Sequence, residues 1–314
     1  MLIYALQRIG LAVLICFTSM VMLFSALKLI PGDPATIMLG SRASAAMKAR
    51  ITEELGLDDS IPVQLMTFFS RILQGNLGTD MWSQRPVSQM VLENLPYTLT
   101  LIAVGLGWAA AIGIPLGCYS AIRSNSFIDK FTGLLSVGTI SIPSFVVAIY
   151  VILLFAIELG WLPVIGAGER GDIFDQVVHL IMPSFALGLG WVGYLSRIVR
   201  ASMLEIMGEN HIRTARAFGL PELVIIRSYA LRIAILPTIT LLAVAIGGLL
   251  SSAVFVEYIF ARPGVGKLIV DAARVRNFPV VQGGVLSAVA LFALTMPIAD
   301  LLVAWLDPRV RSTL

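Results

Sequence analysis

Six charge-free, strongly apolar intervals organise this chain: Ile9–Leu27, Asn94–Ile122, Phe131–Ile157, Gln176–Ser196, Ile233–Val256 and Asn277–Ala299. A helix needs about 20 apolar residues to cross the hydrocarbon core of a bilayer, so each interval is long enough to span one. Charges bracket them all, from Arg8 and Lys28 around the first to Arg276 and Asp300 around the last. The pattern predicts an all-α integral membrane protein with spans near residues 9–30, 95–122, 131–157, 177–199, 234–256 and 278–305. Residues 1–314 then form one transmembrane domain, with both termini on the same side.

Between the first two spans lies an insertion, residues 31–93, that is too long for a turn. Pro31-Gly-Asp-Pro34 stops the first span, and a helix is expected near Ser44–Leu55, closed by Gly56. A second helix should begin after Ser60-Ile-Pro62, carry Leu65, Met66, Phe69, Ile72 and Leu73 on its apolar side, and end at Gly75. This reads as a small helical cap outside the membrane, serving either to pack on helix ends or to dock an external partner.

The short loops orient the chain, because cytoplasmic loops carry the excess of Lys and Arg. The loop after the second span has Arg123 and Lys130 against Asp129; that after the third has Glu158, Glu169, Asp172 and Asp175 against Arg170. The stretch from Arg197 to Arg232 adds six arginines against three acids, and the tail adds Arg309 and Arg311. Both termini are therefore expected in the cytoplasm. The last outer loop, with Arg262, Lys267, Arg274 and Arg276, is the one exception.

Composition agrees with this class. Of 314 residues, 58% are hydrophobic and 13% charged, against roughly 25% charged in soluble domains. Mean hydropathy is +0.90. The net charge of +3 suits loops facing anionic lipid and is too small and scattered for nucleic acid. Cys16 and Cys118 sit in apolar runs without metal-ligand spacing, and His179 and His211 have no cluster around them. The first apolar run exceeds the 7–15 residues of a signal peptide, so it reads as a retained span.

Two motifs mislead. Gly188-Leu-Gly190-Trp-Val-Gly193 matches the dinucleotide-binding pattern but lies within a span with no strand before it, where small residues serve helix packing. Gly264-Val-Gly266-Lys267 resembles a phosphate loop, yet Ala261 and Leu268 occupy its first glycine and last hydroxyl positions. No nucleophile–base pair or paired carboxylate stands in a span, so no catalytic residue, metal ligand or cofactor site is expected. Ion-coupled carriers keep charged groups at mid-membrane; here the nearest is Asp300, toward the end of the last span. A stand-alone ion-coupled carrier or a membrane scaffold stays open as an alternative, but a transporter without such groups must draw energy from a partner.

The place for that partner is the polar stretch at residues 200–235. A short helix is expected from Met207 to Phe218, ended by Gly219 and Pro221, followed by a second run from Glu222 to Leu236. Ala215 and Gly219 would form a face without bulk, and Arg213 and Arg216 a basic ridge. Docking to a cytoplasmic protein fits this better than lying on lipid, because the broad apolar face of a lipid anchor is missing.

The run Arg213-Thr214-Ala215-Arg216-Ala217-Phe218-Gly219 resembles the cytoplasmic signature loop of binding-protein-dependent ABC importer permeases, in its dipeptide/oligopeptide form R-T-A-R-A-x-G-L. Further matches are Leu29-Ile-Pro-Gly-Asp-Pro34, Gly56-Leu57-Asp58, Ser141-Ile-Pro-Ser-Phe145, Leu159-Gly-Trp-Leu-Pro163, Phe260-x-x-Pro-Gly-Val-Gly-Lys267, Phe278-Pro-Val-Val-Gln282 and Leu306-Asp-Pro-Arg309. Arg213 stands where the general family has Glu, Arg232 where its distal proline falls, Phe218 where a Lys is expected and Tyr229 where a His is expected. The resemblance implies a type I ABC importer permease fold in a bacterial inner membrane, with di- or oligopeptides as substrate and nickel complexes or glutathione as alternatives within the family. It also implies a homologous second permease, two cytoplasmic ATPases carrying ATP-Mg, and an external binding protein. Residues 213–219 would couple to the ATPase, and Gly247, Gly248, Ser251 and Ser252 are candidates for the wall of the path.

Overall fold

The computed structural model describes residues 2–28, 59–306 and three single positions between them (44, 46 and 52). The helix expected near Ser44–Leu55, the Pro31–Pro34 stop and the tail with Arg309 and Arg311 lie outside the described residues. The described elements are helical apart from one isolated bridge, Thr79 to Pro86. They are α1 (Leu2–Lys28), α2 (Ile61–Leu73), α3 (Val87–Ile122), α4 (Phe127–Ser141) and α5 (Ser144–Val151), the last continued by a π-helical stretch, Ile152–Glu158. After these come α6 (Ile173–Met207), α7 (Asn210–Ala217), α8 (Leu236–Ile259), α9 (Val265–Arg274) and α10 (Phe278–Leu306).

Among the described residues five helices are long and apolar enough to cross a membrane, and a sixth span results if the bent pair Phe127–Ser141 and Ser144–Glu158 is counted as one. The bend is 97°, within the one span the sequence suggests over 131–157. Its cause is Pro143. Proline pushes the preceding residue out of helical conformation, and Ile142 is extended at φ −93, ψ 118. Pro143 then caps the next helix from outside, where its missing N–H costs nothing.

Contacts divide the chain into two compact units. Of the described residues, 99–262 with 295–306 form one, and those within 2–98 with 263–294 form the other. In the first, glycines set the helix crossings. A Cβ on Gly113 or Gly117 of α3 would stand 2.8 or 2.5 Å from the carbonyl oxygens of Val192 and Ser196 on α6. On Gly188 it would stand 2.2 Å from the Gly105 oxygen, and on Gly193 2.3 Å from Thr139 Oγ1 of α4. Without water to drive helices together in lipid, close approach at small residues supplies the packing. The dinucleotide-like glycines are therefore helix contacts. Beside them Trp108 donates its indole N–H to the Ser184 carbonyl (2.9 Å) and stacks on Phe185 at 5.3 Å.

A polar lock joins the ends of α3, α4 and α6. Buried Asp129 accepts from Ser120 Oγ (2.5 Å), from the Asn125 N–H (2.8 Å), and from Arg200 through Nε (2.5 Å) and a terminal nitrogen (2.7 Å). Asn125 adopts φ +62 to aim its N–H there. A two-toothed Arg–carboxylate pair of this kind is among the strong hydrogen bonds of proteins.

In the second unit, the apolar cluster of Val87, Val91, Val265, Ala272, Val280 and Val281 joins the start of α3 to α9 and α10. This is why α3 begins at Val87, well before the expected start near residue 95: its first turns are held by packing. Val87 and Val91 face inward while exposed Glu93 pairs with Arg85 at 2.6 Å. The turn at Asp80 is fixed by its carboxylate, which takes hydrogen bonds from Ser83 N–H (2.9 Å), Ser83 Oγ and Asn277 Nδ2. Burial works against its charge, yet these donors outweigh it and hold the Asp80 carboxyl below its ordinary pKa.

Candidate functional site

The expected cytoplasmic loop at 200–235 is shorter in the structure than in the sequence pattern. Helix α6 runs on to Met207, so residues 200–207 continue it. Gly208 and Glu209 make the turn, and α7 covers Asn210–Ala217. Beyond Pro221 the chain is helical again as Glu222–Val224, a π-helical Ile225–Ala230 and Leu231–Ala234. Pro237 then stands in the first turn of α8, where a proline is well tolerated.

The inner side of α7 is locked into the protein itself. Ile212 and Ala215, one turn apart, are buried with Val199 and Met203 of α6 and with Ile225, Ala230 and Ala234. Ala215 is only 5% exposed, so the bulk-free face of Ala215 and Gly219 expected for a partner does not form. Small size at 215 serves the helix's own seat on the core. The end of α7 is a tight cap: Phe218 N–H donates to Thr214 (3.0 Å), Gly219 N–H to Arg216 (2.9 Å) and Leu220 N–H to Ala215 (3.3 Å). Gly219 has φ +74, a conformation that favours glycine. A Cβ there would meet nothing within 4 Å.

The outer side presents different chemistry. Arg213, Thr214, Arg216, Ala217, Phe218 and Gly219 are all exposed, and Thr214 returns its hydroxyl to the Asn210 carbonyl (3.0 Å). Phe218 is 81% exposed and Leu223 73% exposed. Arg216 reaches across the cap to Glu222 with two hydrogen bonds, 2.7 and 3.2 Å. That hydrogen-bonded pairing raises the arginine pKa and lowers the glutamate pKa against slight desolvation. Arg213 and Arg216 therefore do not form one free basic ridge, since Arg216 is spent on Glu222. The surface presents an exposed aromatic knob at the cap, exposed Arg213 at the start of the same helix, and a neutralised pair.

The candidate path residues divide by face. Gly247 is buried, Ser252 half-buried, and Gly248 and Ser251 exposed. The two exposed residues lie on a stripe of α8 with Val244 and Phe255, at helical spacing. Phe255 meets Phe145 of α5 at 6.0 Å. The structure brings Gly248 and Ser251 to one open face and places Gly247 in packing.

The side chain most informative in space and least visible in sequence is Asp129. Its partner Arg200 is 71 positions away, and no local pattern links them. Helix α9 was missed too, although Val265, Leu268, Ile269 and Ala272 recur at helical spacing. Lys267 in the phosphate-loop lookalike bonds Asp271 one turn on. Among the described residues no group of three or more His, Cys, Asp or Glu is placed to hold a metal ion.

Comparison with known proteins places this architecture. Residues 113–312 match the family described as binding-protein-dependent transport system inner membrane component, and residues 1–102 match the N-terminal part of such components. The glutathione transport system permease protein GsiC of Pectobacterium atrosepticum is 36% identical over 292 residues, 93% of each chain. Its counterpart in Salmonella paratyphi A is 35% identical over 99% of both. The probable peptide ABC transporter permease protein y4tP of Sinorhizobium fredii is 32% identical over 98% of this chain and 99% of the relative. Among solved structures, a chain of the MetNI methionine ABC transporter in an inward-facing form matches with TM-score 0.56 at 18% identity, covering 70% of this chain and 97% of that one.

Proposed function

Since the chain belongs to the inner-membrane components of binding-protein-dependent transport systems, we propose that it is the permease subunit of an ATP-driven importer for glutathione or short peptides. The substrate class follows the relatives, which carry the glutathione and peptide names over nearly their whole length. Nickel complexes are a further substrate that the assay below includes. The chain itself hydrolyses nothing; ATP-Mg belongs to two cytoplasmic ATPases, and cargo arrives from an external binding protein. A homologous second permease completes the path, to which the open stripe of Gly248 and Ser251 contributes. Both termini face the cytoplasm of a bacterial inner membrane.

One observation carries the coupling role. The cap of α7 projects Phe218 at 81% exposure while the same helix is bolted inward through Ile212 and Ala215. An exposed aromatic on a rigid seat, with an exposed arginine on the same short helix, is the composition of a binding hot spot. The rigid seat means that force applied to the knob moves the end of α6 and the 225–234 segment that leads into α8 with it. Phe218 and Leu223 enter an apolar groove on the ATPase, Arg213 meets acids at its rim, and closure of the ATPases tilts the spans.

The test is ATPase stimulation of the complex reconstituted with its binding protein, across dipeptides, oligopeptides, glutathione and nickel chelates. Stimulation by glutathione or peptides supports the reading. Uptake by this chain in liposomes lacking any ATPase would instead establish an ion-coupled carrier and end it.

A further inference from the structure

Helix α2 is amphipathic in a way that an extramembrane cap does not need. At 3.6 residues per turn, Leu73 and Met66 lie about 40° and 60° to one side of Phe69, and Leu65, Ile72 and Phe68 lie on its other side. Ser70, Gln74, Thr67 and Arg71 fill the opposite half. The apolar arc is only half used. Leu65, Phe68, Phe69 and Ile72 are partly buried, whereas Met66 is 79% and Leu73 88% exposed.

The depth of this bare flank is set by a ring stack. Phe69 lies on Phe17 of α1 with centroids 4.9 Å apart and planes at 24°. Phe17 is in the middle of the apolar window Ile9–Ala26, about 14 Å from its Ala26 end at 1.5 Å per residue. Met20, one turn on along the same side, is buried to 1%, while Val13 and Leu14 one turn before Phe17 and Met22 on the far side are 54–73% exposed. The Phe69 ring therefore reaches about mid-depth in a hydrocarbon core roughly 30 Å thick. Along the α2 axis Met66 and Leu73 are only about 4.5 and 6 Å from Phe69, so whatever the tilt of the helix they stay at hydrocarbon depth.

We propose that α2 is a membrane-embedded amphipathic helix, seated in the leaflet nearest the Lys28 end of α1, with Met66 and Leu73 among lipid acyl chains. The partner is the bilayer. The polar half carries Thr67, Ser70 and Gln74 toward headgroups, and the Arg71 stem lets its charge reach the interface. The described part of the segment between α1 and α3 is thereby anchored in lipid through α2. This goes beyond the transport reading and does not depend on it.

The experiment places a nitroxide on Met66→Cys, Leu73→Cys and, as polar-side comparison, Gln74→Cys, in a Cys16→Ala, Cys118→Ala background. The full chain, with whatever subunits co-purify, is held in lipid nanodiscs. Oxygen concentrates in hydrocarbon and a charged nickel chelate is excluded from it, so the oxygen-to-nickel collision ratio at 66 and 73 should exceed that at 74 by roughly tenfold or more. Equal ratios at all three sites would put the flank in water and overturn the proposal. Shielding of 66 and 73 from both reagents would show protein cover, such as another subunit, and overturn it equally.

Discussion

Replacing Phe218 by Ala should cripple ATPase binding without touching the stability of the permease. The ring is 81% exposed in the free chain, and a phenylalanine buries on the order of 200 Å² when enclosed. Docking would then remove about 160 Å² from water, worth about 4 kcal/mol at roughly 25 cal/mol per Å². An alanine keeps about a third of that, so the loss is about 2–3 kcal/mol, or roughly 30- to 150-fold in affinity. Because the ring contributes no packing in the free permease, unfolding should shift by less than about 0.5 kcal/mol. Ile212→Ala supplies the mirror image. That side chain is fully buried in the seat of α7, and its truncation should cost about 2–4 kcal/mol of stability. The assay is titration of purified ATPase onto the permease in nanodiscs, with thermal unfolding of each variant alongside. If Phe218→Ala bound within twofold of the parent, the knob would lie outside the interface and the coupling assignment would fall.

Other variants probe the same framework. Gly219→Val should destabilise the α7 cap by about 1–2 kcal/mol from backbone strain alone, since open space surrounds the site; Gly219→Asn should recover part of it, read by hydrogen exchange at Phe218 and Leu220. Asp129→Asn should cost about 3 kcal/mol by leaving Arg200 without its carboxylate, and a thermal midpoint unchanged from the parent would show the lock to be idle. The Glu222 pKa is lowered in the folded chain by Arg216, so the pair stabilises the cap above the ordinary glutamate pKa and that help disappears as pH falls through the lowered value. With both groups near half exposure the effect is about 0.5 kcal/mol: protection of the cap amides, corrected for the intrinsic pH dependence of exchange, should hold from neutral pH down to the ordinary glutamate range and fall below it in the parent, and Glu222→Gln should lack that step.

Span positions were legible because lipid imposes a single rule, a long run without charge, on every crossing helix. The break within the third span was legible only in part. Ser141-Ile-Pro-Ser144 carries the signal, but the apolar run passes through it uninterrupted and length alone suggests continuity. Ala215 illustrates a different gap. A small residue at helical spacing fits a partner's groove and the protein's own core equally well, and only the positions of Val199, Met203 and Ile225 decide for the core. Asp129 was legible as a loop charge and not as a lock, because its partner arrives through tertiary folding from 71 residues away. Met66 and Leu73 marked an apolar helix side from sequence, yet the depth of that side follows from the Phe17–Phe69 stack, which joins segments with no shared pattern.

The central claim is that this permease moves its cargo only when ATPases bound at the α7 cap hydrolyse ATP. The direct measurement is uptake of labelled glutathione into proteoliposomes holding the complete complex and its binding protein, comparing parent and Phe218→Ala with ATP present or absent. The account predicts ATP-dependent accumulation by the parent and a loss of at least tenfold in the variant at limiting ATPase. Accumulation that persists without ATP, or that is equal in the two proteins, would contradict it.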